Sequence, residues 1–192
     1  MARQRLARLI TEVFAPAPVA GSLLLIVAVH STFTAAGLWW GLLAVFFAAL
    51  LPFLYLLRGV RRRQFTDHHV PVRRQRPLPL SVGVVSVLVG LGLMVILRAP
   101  RELVALVVAR AVGLGVSLLV TPAWKISIHV AVVAGAVVIL VLVFGPQFLG
   151  ATPLVALVGW ARVQAGDHTP MQVVAGAVLG AAVAAAVFTL LR

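Results

Sequence analysis

Long apolar runs separated by short breakers occupy most of this chain. A membrane-spanning α-helix needs about 20 mostly apolar residues, and seven runs approach or reach that length. Because little other sequence remains, we predict an all-α polytopic membrane bundle of six or seven transmembrane helices, in one domain over residues 1–192. The sixth run is the shortest, and the six-helix alternative leaves it half-inserted. The runs cover residues 16–31, 38–57, 78–97, 103–120, 124–144, 148–162 and 170–191.

The composition agrees with a membrane chain and restricts its partners. Hydrophobic residues make up 62% of the sequence and charged residues 10%, with 16 Lys and Arg against 4 acidic residues. In so apolar a chain, the basic excess predicts anionic membrane lipids or an anionic lipid substrate as partners. Aromatic residues are few and are not interleaved with basic ones, so nucleic-acid binding is not expected. The lack of cysteine excludes disulfides and cysteine nucleophiles, and the oligomeric state stays open.

Basic residues are concentrated in two segments that we predict to lie on one side of the membrane. Residues 58–77 form a loop that carries seven Arg. Residues 3–14 place three Arg among apolar residues at helical spacing, which predicts a short interfacial helix in the head-group layer. Because cytoplasmic loops are enriched in Lys and Arg, the Arg-rich side is expected to face the cytoplasm across the inner or plasma membrane.

Three polar clusters lie at the ends of apolar runs on this same predicted side. Two membrane crossings separate the first cluster from the second, and two more separate the second from the third, so all three return to the Arg-rich face. Ionisable residues at such positions are costly and indicate function. The clusters contain His69, Arg73 and Arg76 in the first, Lys125, Ser127 and His129 in the second, and Arg162, His168 and Gln172 in the third.

The side chains of these clusters suit a phosphate group. The guanidinium group of Arg binds two phosphate oxygens at once through two of its N–H groups. Lys adds a positive charge, and Ser donates one more hydrogen bond. Thr-Pro steps at residues 121–122 and 169–170 predict helix starts, whose free backbone N–H groups favour an anion. No cofactor and no metal is expected, because carboxylates are scarce. Asp67, His68 and His69 are three consecutive residues of an open loop and make only a weak alternative metal site.

Two histidines beside such a site suffice to hydrolyse a phosphate ester. One imidazole attacks phosphorus to give a phosphohistidine, the other protonates the departing oxygen, and water then resolves the intermediate. His129 and His168 are the candidates for these roles. Spacing assigns the roles only weakly, since His129 lies one helical turn after Lys125 and His168 lies six residues after Arg162.

The ordered set of clusters resembles the motifs of the type 2 phosphatidic acid phosphatase superfamily. The third cluster is similar to S-R-x5-H-x3-D, the second to P-S-G-H and the first to K-x6-R-P, in the order that the family has them. The matching residues are Arg76, Pro77, Ser127, His129, Arg162 and His168, and the departures are His69 for Lys, Ile126 for Pro, Ile128 for Gly, Ala161 for Ser and Gln172 for Asp.

This resemblance implies an integral-membrane lipid phosphatase that needs no metal. Its expected substrate is a polyprenyl phosphate or diphosphate, or a glycerolipid phosphate. The resemblance implies His168 as the nucleophile and His129 as the acid that protonates the leaving group. The expected phosphate-binding residues are Arg76, Ser127, Arg162 and His69 from the family motifs, with Arg73 and Lys125 added from their local position.

Several alternatives stay open. Gln172, one helical turn after His168, is placed to fix the imidazole tautomer without supplying charge. Residues 169–172 also read as a capping box, which needs no catalysis. The alternative function is a catalytically weak or silent relative that acts as a phospholipid-binding scaffold or moves lipids across the membrane. A transporter would need internal repeats and more polar residues inside the spans than Arg110, which is expected to face the bundle interior.

Overall fold

The computed structural model of the protein describes residues 2–192, which form nine α-helices and no β-strand. Five helical stretches are long and apolar enough to cross a membrane, so the chain is an all-helical, integral-membrane type of protein. A π-helical turn (Phe46–Leu50) joins the third helix to the fourth, and 3-10 turns cover Arg73–Gln75 and Pro146–Ala151. The helices are α1 (Ala2–Val13), α2 (Pro16–Thr32), α3 (Ala35–Val45), α4 (Leu51–Arg61), α5 (Pro77–Ile96), α6 (Arg101–Val120), α7 (Ile128–Phe144), α8 (Thr152–Gln164) and α9 (Pro170–Leu191).

Two of the predicted apolar runs fold differently from a single continuous helix. The run 124–144 contains α7 only from Ile128 onward, because the residues before it are held extended by contacts from elsewhere in the chain. The Ser127 N–H donates to the Gln172 carbonyl (3.1 Å), and the Ile126 carbonyl accepts from Arg76 (3.0 Å). The run 148–162 begins in a 3-10 turn and continues as α8, which has 13 residues.

The N-terminal helix α1 forms over nearly the range predicted for it. Its buried side packs on α7 and α8, whereas its other side leaves Leu6, Leu9 and Val13 exposed. An amphipathic helix with an exposed apolar edge suits the head-group layer, and this location stays a prediction. The buried cluster under α1 consists of Ala7, Ile10, Val130, Val133, Val158 and Ala161.

The closest helix pair is α7 with α9, and small residues make the contact possible. A methyl group added at Gly180 would overlap the carbonyl oxygen of Ala131, and one added at Gly176 would lie 2.5 Å from the carbonyl oxygen of Ser127. One added at Gly135 would lie 3.2 Å from the Gly180 carbonyl. The small-residue spacings in these two helices therefore mark a real backbone contact. It fixes the first turn of α7 beside Gly176 and Gly180, in the first half of α9.

Arg110 has a backbone partner in the bundle interior, as its position in a membrane span requires. Pro52 has no N–H, and the Leu51 N–H donates to Phe46, so the π-helical turn frees the carbonyls of two residues. The Arg110 Nε donates to the Ala48 carbonyl (2.8 Å), and the Ser86 Oγ donates to the Phe47 carbonyl (2.5 Å). Side chains of α6 and α5 thus replace the hydrogen bonds that the proline removes.

We expect Gly180→Ala to destabilise the protein, because the added methyl group forces α7 and α9 apart. Overpacking of this kind costs about 1–3 kcal/mol, which lowers the thermal unfolding midpoint in detergent. Gly92→Ala is the matched control, since Gly92 is exposed on α5 and an added methyl group meets nothing within 4 Å. Equal midpoints for the two variants would show that α7 and α9 do not depend on this contact.

Candidate functional site

Four chain segments meet at one end of the bundle and bring the three polar clusters together. Arg76 begins α5, Ser127 and His129 begin α7, Arg162 lies in the last turn of α8, and His168 precedes α9. Hydrogen bonds join three of these segments directly, through Arg76 to His168 and through Ser127 to Gln172. The clusters, which are more than 30 residues apart in the sequence, therefore form one site.

His168 is buried and its two ring nitrogens face different partners. Its Nδ1 lies 3.2 Å from the Gln172 Oε1, and its Nε2 lies 3.3 Å from the Arg76 Nη2. Because a carboxamide oxygen only accepts and a guanidinium only donates, Nδ1 carries the proton and Nε2 presents its lone pair. Burial, followed by the charges of Arg76, Arg162 and Lys125, lowers the pKa of His168 to about 3. The imidazole is therefore neutral near pH 7.

Gln172 makes both of the contacts that the sequence leaves open as alternatives: it caps α9 and it hydrogen-bonds to His168. The Thr169 hydroxyl accepts from the Gln172 N–H (3.4 Å), and the Gln172 Oε1 accepts from the Thr169 N–H (3.2 Å), which completes a capping box. The same Oε1 also accepts from His168. Since the Thr169 N–H fixes which amide atom is the oxygen, the His168 tautomer is fixed by the cap of α9.

Arg162 is the largest fully buried side chain, with 0% of its surface exposed. Its Nη2 lies 2.9 Å from the Asp167 Oδ2. The two groups form an ion pair, but the N–H does not point at the oxygen closely enough to make a hydrogen bond. None of its guanidinium nitrogens has a hydrogen-bond partner within residues 2–192. Gly166, at a φ of +75°, lets the chain turn so that Asp167 returns to Arg162. This buried cation has donors to offer to an anion.

Arg76 is buried and uses its guanidinium to hold the site together. The Nε donates to the Val70 carbonyl (3.0 Å), the Nη1 to the Ile126 carbonyl (3.0 Å) and the Nη2 to His168. It thereby joins the end of the basic loop, the segment before α7 and the segment before α9. One side chain sets the relative positions of all three clusters.

Ser127 and His129 present polar atoms toward the same buried region. The Ser127 Oγ and the His129 Nε2 are buried and have no hydrogen-bond partner in the part of the chain that the structure describes. The His129 ring stands edge-on to the His69 ring, with centroids 5.0 Å apart. Unpaired buried polar atoms are costly, which is typical of a site that binds a polar ligand.

The other predicted phosphate-binding residues have their own contacts. Lys125 Nζ donates to the Asp167 carbonyl (2.5 Å), which places it at the edge of the site. Arg73 donates to the Ala123 carbonyl (2.9 Å) and holds the basic loop to the segment before α7. His69 faces Glu12, with its Nε2 3.0 Å from the Oε1, and burial lowers the pKa of His69.

Two acidic residues take part that the sequence analysis did not assign to the site. Asp167 is the ion-pair partner of Arg162, and its spacing of five residues across a Gly turn is a local signal for this contact. Glu12 comes from α1 and meets His69 from 57 residues away, so no local pattern identifies it.

A largely apolar cavity of about 140 Å³ adjoins the polar site. His69, Arg76 and His129 lie at its polar end, and Arg110 lines it deeper in the bundle. Most of its wall is apolar, with Phe53, Leu56, Leu80, Leu114 and Ile128 among the lining residues.

A scan against protein-family models and searches of the curated proteins and of the solved structures found nothing that matches this chain.

The lowered pKa of His168 predicts a pH-dependent stability. An unfolded histidine titrates near 6.5 and His168 near 3, so the unfolded state binds more protons between these values. The stability contributed by neutral His168 is complete above pH 6.5 and decreases as the pH falls toward 3, by up to about 1.4 kcal/mol per pH unit. We expect the thermal midpoint of His168→Asn, which has no imidazole, to fall less steeply over this range. Parallel curves for the two proteins would contradict the coupling.

Proposed function

We propose that the protein is a membrane-embedded lipid phosphatase that works through a phosphohistidine at His168. The single observation that carries the proposal is the geometry of His168, whose protonated Nδ1 is held by Gln172 and whose Nε2 lone pair faces the buried Arg76. A neutral imidazole with a fixed tautomer is a nucleophile, and neighbouring guanidinium groups bind the phosphoryl oxygens that it attacks.

The proposed phosphoryl position lies between the two buried arginines. A phosphoryl oxygen replaces His168 as the acceptor from Arg76 Nη2, which frees the Nε2 lone pair to face phosphorus. Arg162 supplies guanidinium donors that have no other hydrogen-bond partner among residues 2–192, and the buried Ser127 hydroxyl adds one more. Lys125 at the edge contributes charge. These groups match the negative charge that develops on the phosphoryl oxygens during transfer.

The reaction proceeds in two balanced steps. In the first, the N–P bond forms at His168 Nε2, the P–O bond to the lipid breaks, and the leaving oxygen takes a proton from His129, whose imidazolium form is stabilised by the negative charge of the bound phosphate. In the second, water attacks phosphorus, gives its proton to His129, and the N–P bond breaks to release phosphate. His129 thus acts first as an acid and then as a base. Gln172 keeps the tautomer but leaves the imidazolium of the intermediate without an opposing charge.

The apolar cavity supports a lipid as the substrate. It begins at Arg76 and His129 and runs along apolar residues into the bundle, which suits a phosphate at the site and a hydrocarbon chain behind it. A polyprenyl phosphate or diphosphate and a glycerolipid phosphate share this chemistry. The order of the motifs supports assignment to the type 2 phosphatidic acid phosphatase superfamily.

The proposal includes seven membrane crossings with the site at the cytoplasmic face. The 13 residues of α8 rise about 20 Å and the six residues of the 3-10 turn before it about 12 Å, which together span a hydrocarbon core of about 30 Å. Lys125 before α7 contacts Asp167 after α8, so this pair of elements leaves and returns to one side. The Arg-rich loop at residues 58–77 lies on that side and favours the cytoplasm.

We expect His168→Ala to abolish both phosphate release from lipid phosphates and any acid-labile phosphoenzyme, measured on protein purified in detergent. His129→Ala should slow turnover about 100- to 10,000-fold, because the leaving oxygen then departs without a proton.

Arg162→Lys keeps the positive charge but loses the paired N–H donors of the guanidinium group, so it should lower kcat. Arg62→Lys, an exposed change in the basic loop, is the matched control. A wild-type protein that binds lipid phosphates and releases no phosphate would favour the scaffold or lipid-translocating alternative instead.

The two contacts of Gln172 make its substitutions informative. Gln172→Asp keeps an acceptor at the start of α9 and adds a charge beside the imidazolium, so turnover should equal or exceed that of the parent. Gln172→Ala removes both contacts and should lower both turnover and the thermal midpoint. If the Ala variant loses stability while its kcat is unchanged, the contact with His168 has no catalytic role and only the cap remains.

A further inference from the structure

Three metal-ligating side chains meet beside the proposed phosphate site, and that mechanism uses none of them as a metal ligand. The Glu12 carboxylate of α1 lies between two histidines of the loop after α4, with Oε2 3.2 Å from the His68 Nε2 and Oε1 3.0 Å from the His69 Nε2. One ligand atom from each residue lies within 4.8 Å of the others. Glu12 and His68 are 56 residues apart in the sequence, so the fold brings this group together.

A tight turn directs both histidines to the same carboxylate. The Asp67 Oδ1 accepts from the His69 N–H (2.7 Å), and the Asp67 carbonyl accepts from the Val70 N–H (3.0 Å). Val70 then adopts a φ of +45°. In this turn the rings of His68 and His69 lie side by side, with centroids 4.1 Å apart and planes tilted by 43° to each other. Consecutive residues can therefore act as neighbouring ligands here.

His68 lies between two carboxylates, and a neutral ring cannot satisfy both. Its Nδ1 is 3.3 Å from the Asp67 Oδ1, and its Nε2 is 3.2 Å from the Glu12 Oε2. Neutral imidazole has one N–H, so one of these contacts would set a lone pair against a carboxylate oxygen. Either a second proton or a metal ion at Nε2 removes the conflict, and with the metal bound Nδ1 keeps its proton and donates to Asp67. A carboxylate behind a ligating histidine is the usual outer-shell partner.

We propose that Glu12, His68 and His69 bind one divalent transition-metal ion of the Zn²⁺ class. Two imidazole nitrogens and one carboxylate suit Zn²⁺, and one further position stays available to water. Ligands at about 2.0–2.2 Å from a tetrahedral ion lie about 3.3–3.6 Å from one another. The present contacts of 3.0 and 3.2 Å use different oxygens of Glu12, and one ligand atom from each residue lies within 4.8 Å of the others, so binding of one ion draws one oxygen and both nitrogens to this spacing.

The bound ion ties α1 to the basic loop and sets the position of His69, whose ring contacts the ring of His129. The sequence predicts no metal, because carboxylates are scarce, and Asp67, His68 and His69 alone make only a weak alternative site as consecutive residues of an open loop. In the structure the third candidate ligand is Glu12 and not Asp67. Asp67 lies on the other side of the His68 ring, next to its Nδ1. This metal site goes beyond the proposed phosphatase and does not depend on it.

The test is Zn²⁺ binding by the full-length protein, purified in detergent without a histidine tag and stripped with a chelator. Titration against a chromophoric competitor should give one Zn²⁺ per chain, and Zn²⁺ should raise the thermal midpoint as binding to the folded state requires. Glu12→Gln and His68→Asn should each lose this binding. Asp67→Asn should weaken it about 10- to 100-fold, as loss of an outer-shell partner does.

His30→Asn is the matched control, because His30 pairs with Glu102 at 3.6 Å and gathers no third ligand. This variant should bind Zn²⁺ as the parent does. Substitution by Co²⁺ should give visible absorption bands in the parent and not in Glu12→Gln. Binding in the parent no tighter than in the double variant Glu12→Gln/His68→Asn would overturn the proposal, as would equal loss of binding in His30→Asn. Both readouts measure metal and are independent of phosphate release.

Discussion

The close backbone contact between α7 and α9 is the constraint on which the polar site depends. Helices in a membrane gain little from burying apolar surface against each other, so close packing through small residues sets their positions. At Gly176 and Gly180 the backbone of α9 reaches the first turn of α7, and the Ser127 N–H donates to the Gln172 carbonyl. The starts of two helices are thereby locked together. His129 on one and His168 before the other then share one buried region.

Electrostatics decides the chemistry of that region. The chain has only four acidic residues, and each has a cationic or imidazole partner: Glu12 and Asp67 at the loop histidines, Glu102 at His30, and Asp167 at Arg162. Arg76 and Lys125 therefore face carbonyls and His168 with no carboxylate of their own. The resulting positive field keeps the His168 imidazole neutral and favours an anionic ligand. Because the surroundings are apolar, water screens these charges little, so the charges act strongly both on His168 and on an anionic ligand.

The placement of the four acidic residues also separates two proposed sites that lie a short distance apart. The site around His168 has arginines and one aspartate that is already paired, which suits phosphate. The site around Glu12 has two imidazoles and two carboxylates, which suits a metal ion. His69 and His129 connect the two through their ring contact. His69 itself faces Glu12, with its Nε2 3.0 Å from the Oε1.

The sequence by itself determined the helical architecture, because apolar runs of membrane length have no other way to satisfy their backbone groups in a bilayer. It also determined contacts within one turn, such as the approach of Gln172 to His168 and the cap at Thr169, since residues three or four apart meet on any helix. Only the tertiary structure decided which distant groups pair: Arg76 with Ile126 and His168, Arg110 with the carbonyl that Pro52 leaves free, and Glu12 with His68. Such contacts depend on how closely and at what register the helices pack. That packing is set by steric fit between helices, which the periodicity of a single run does not encode.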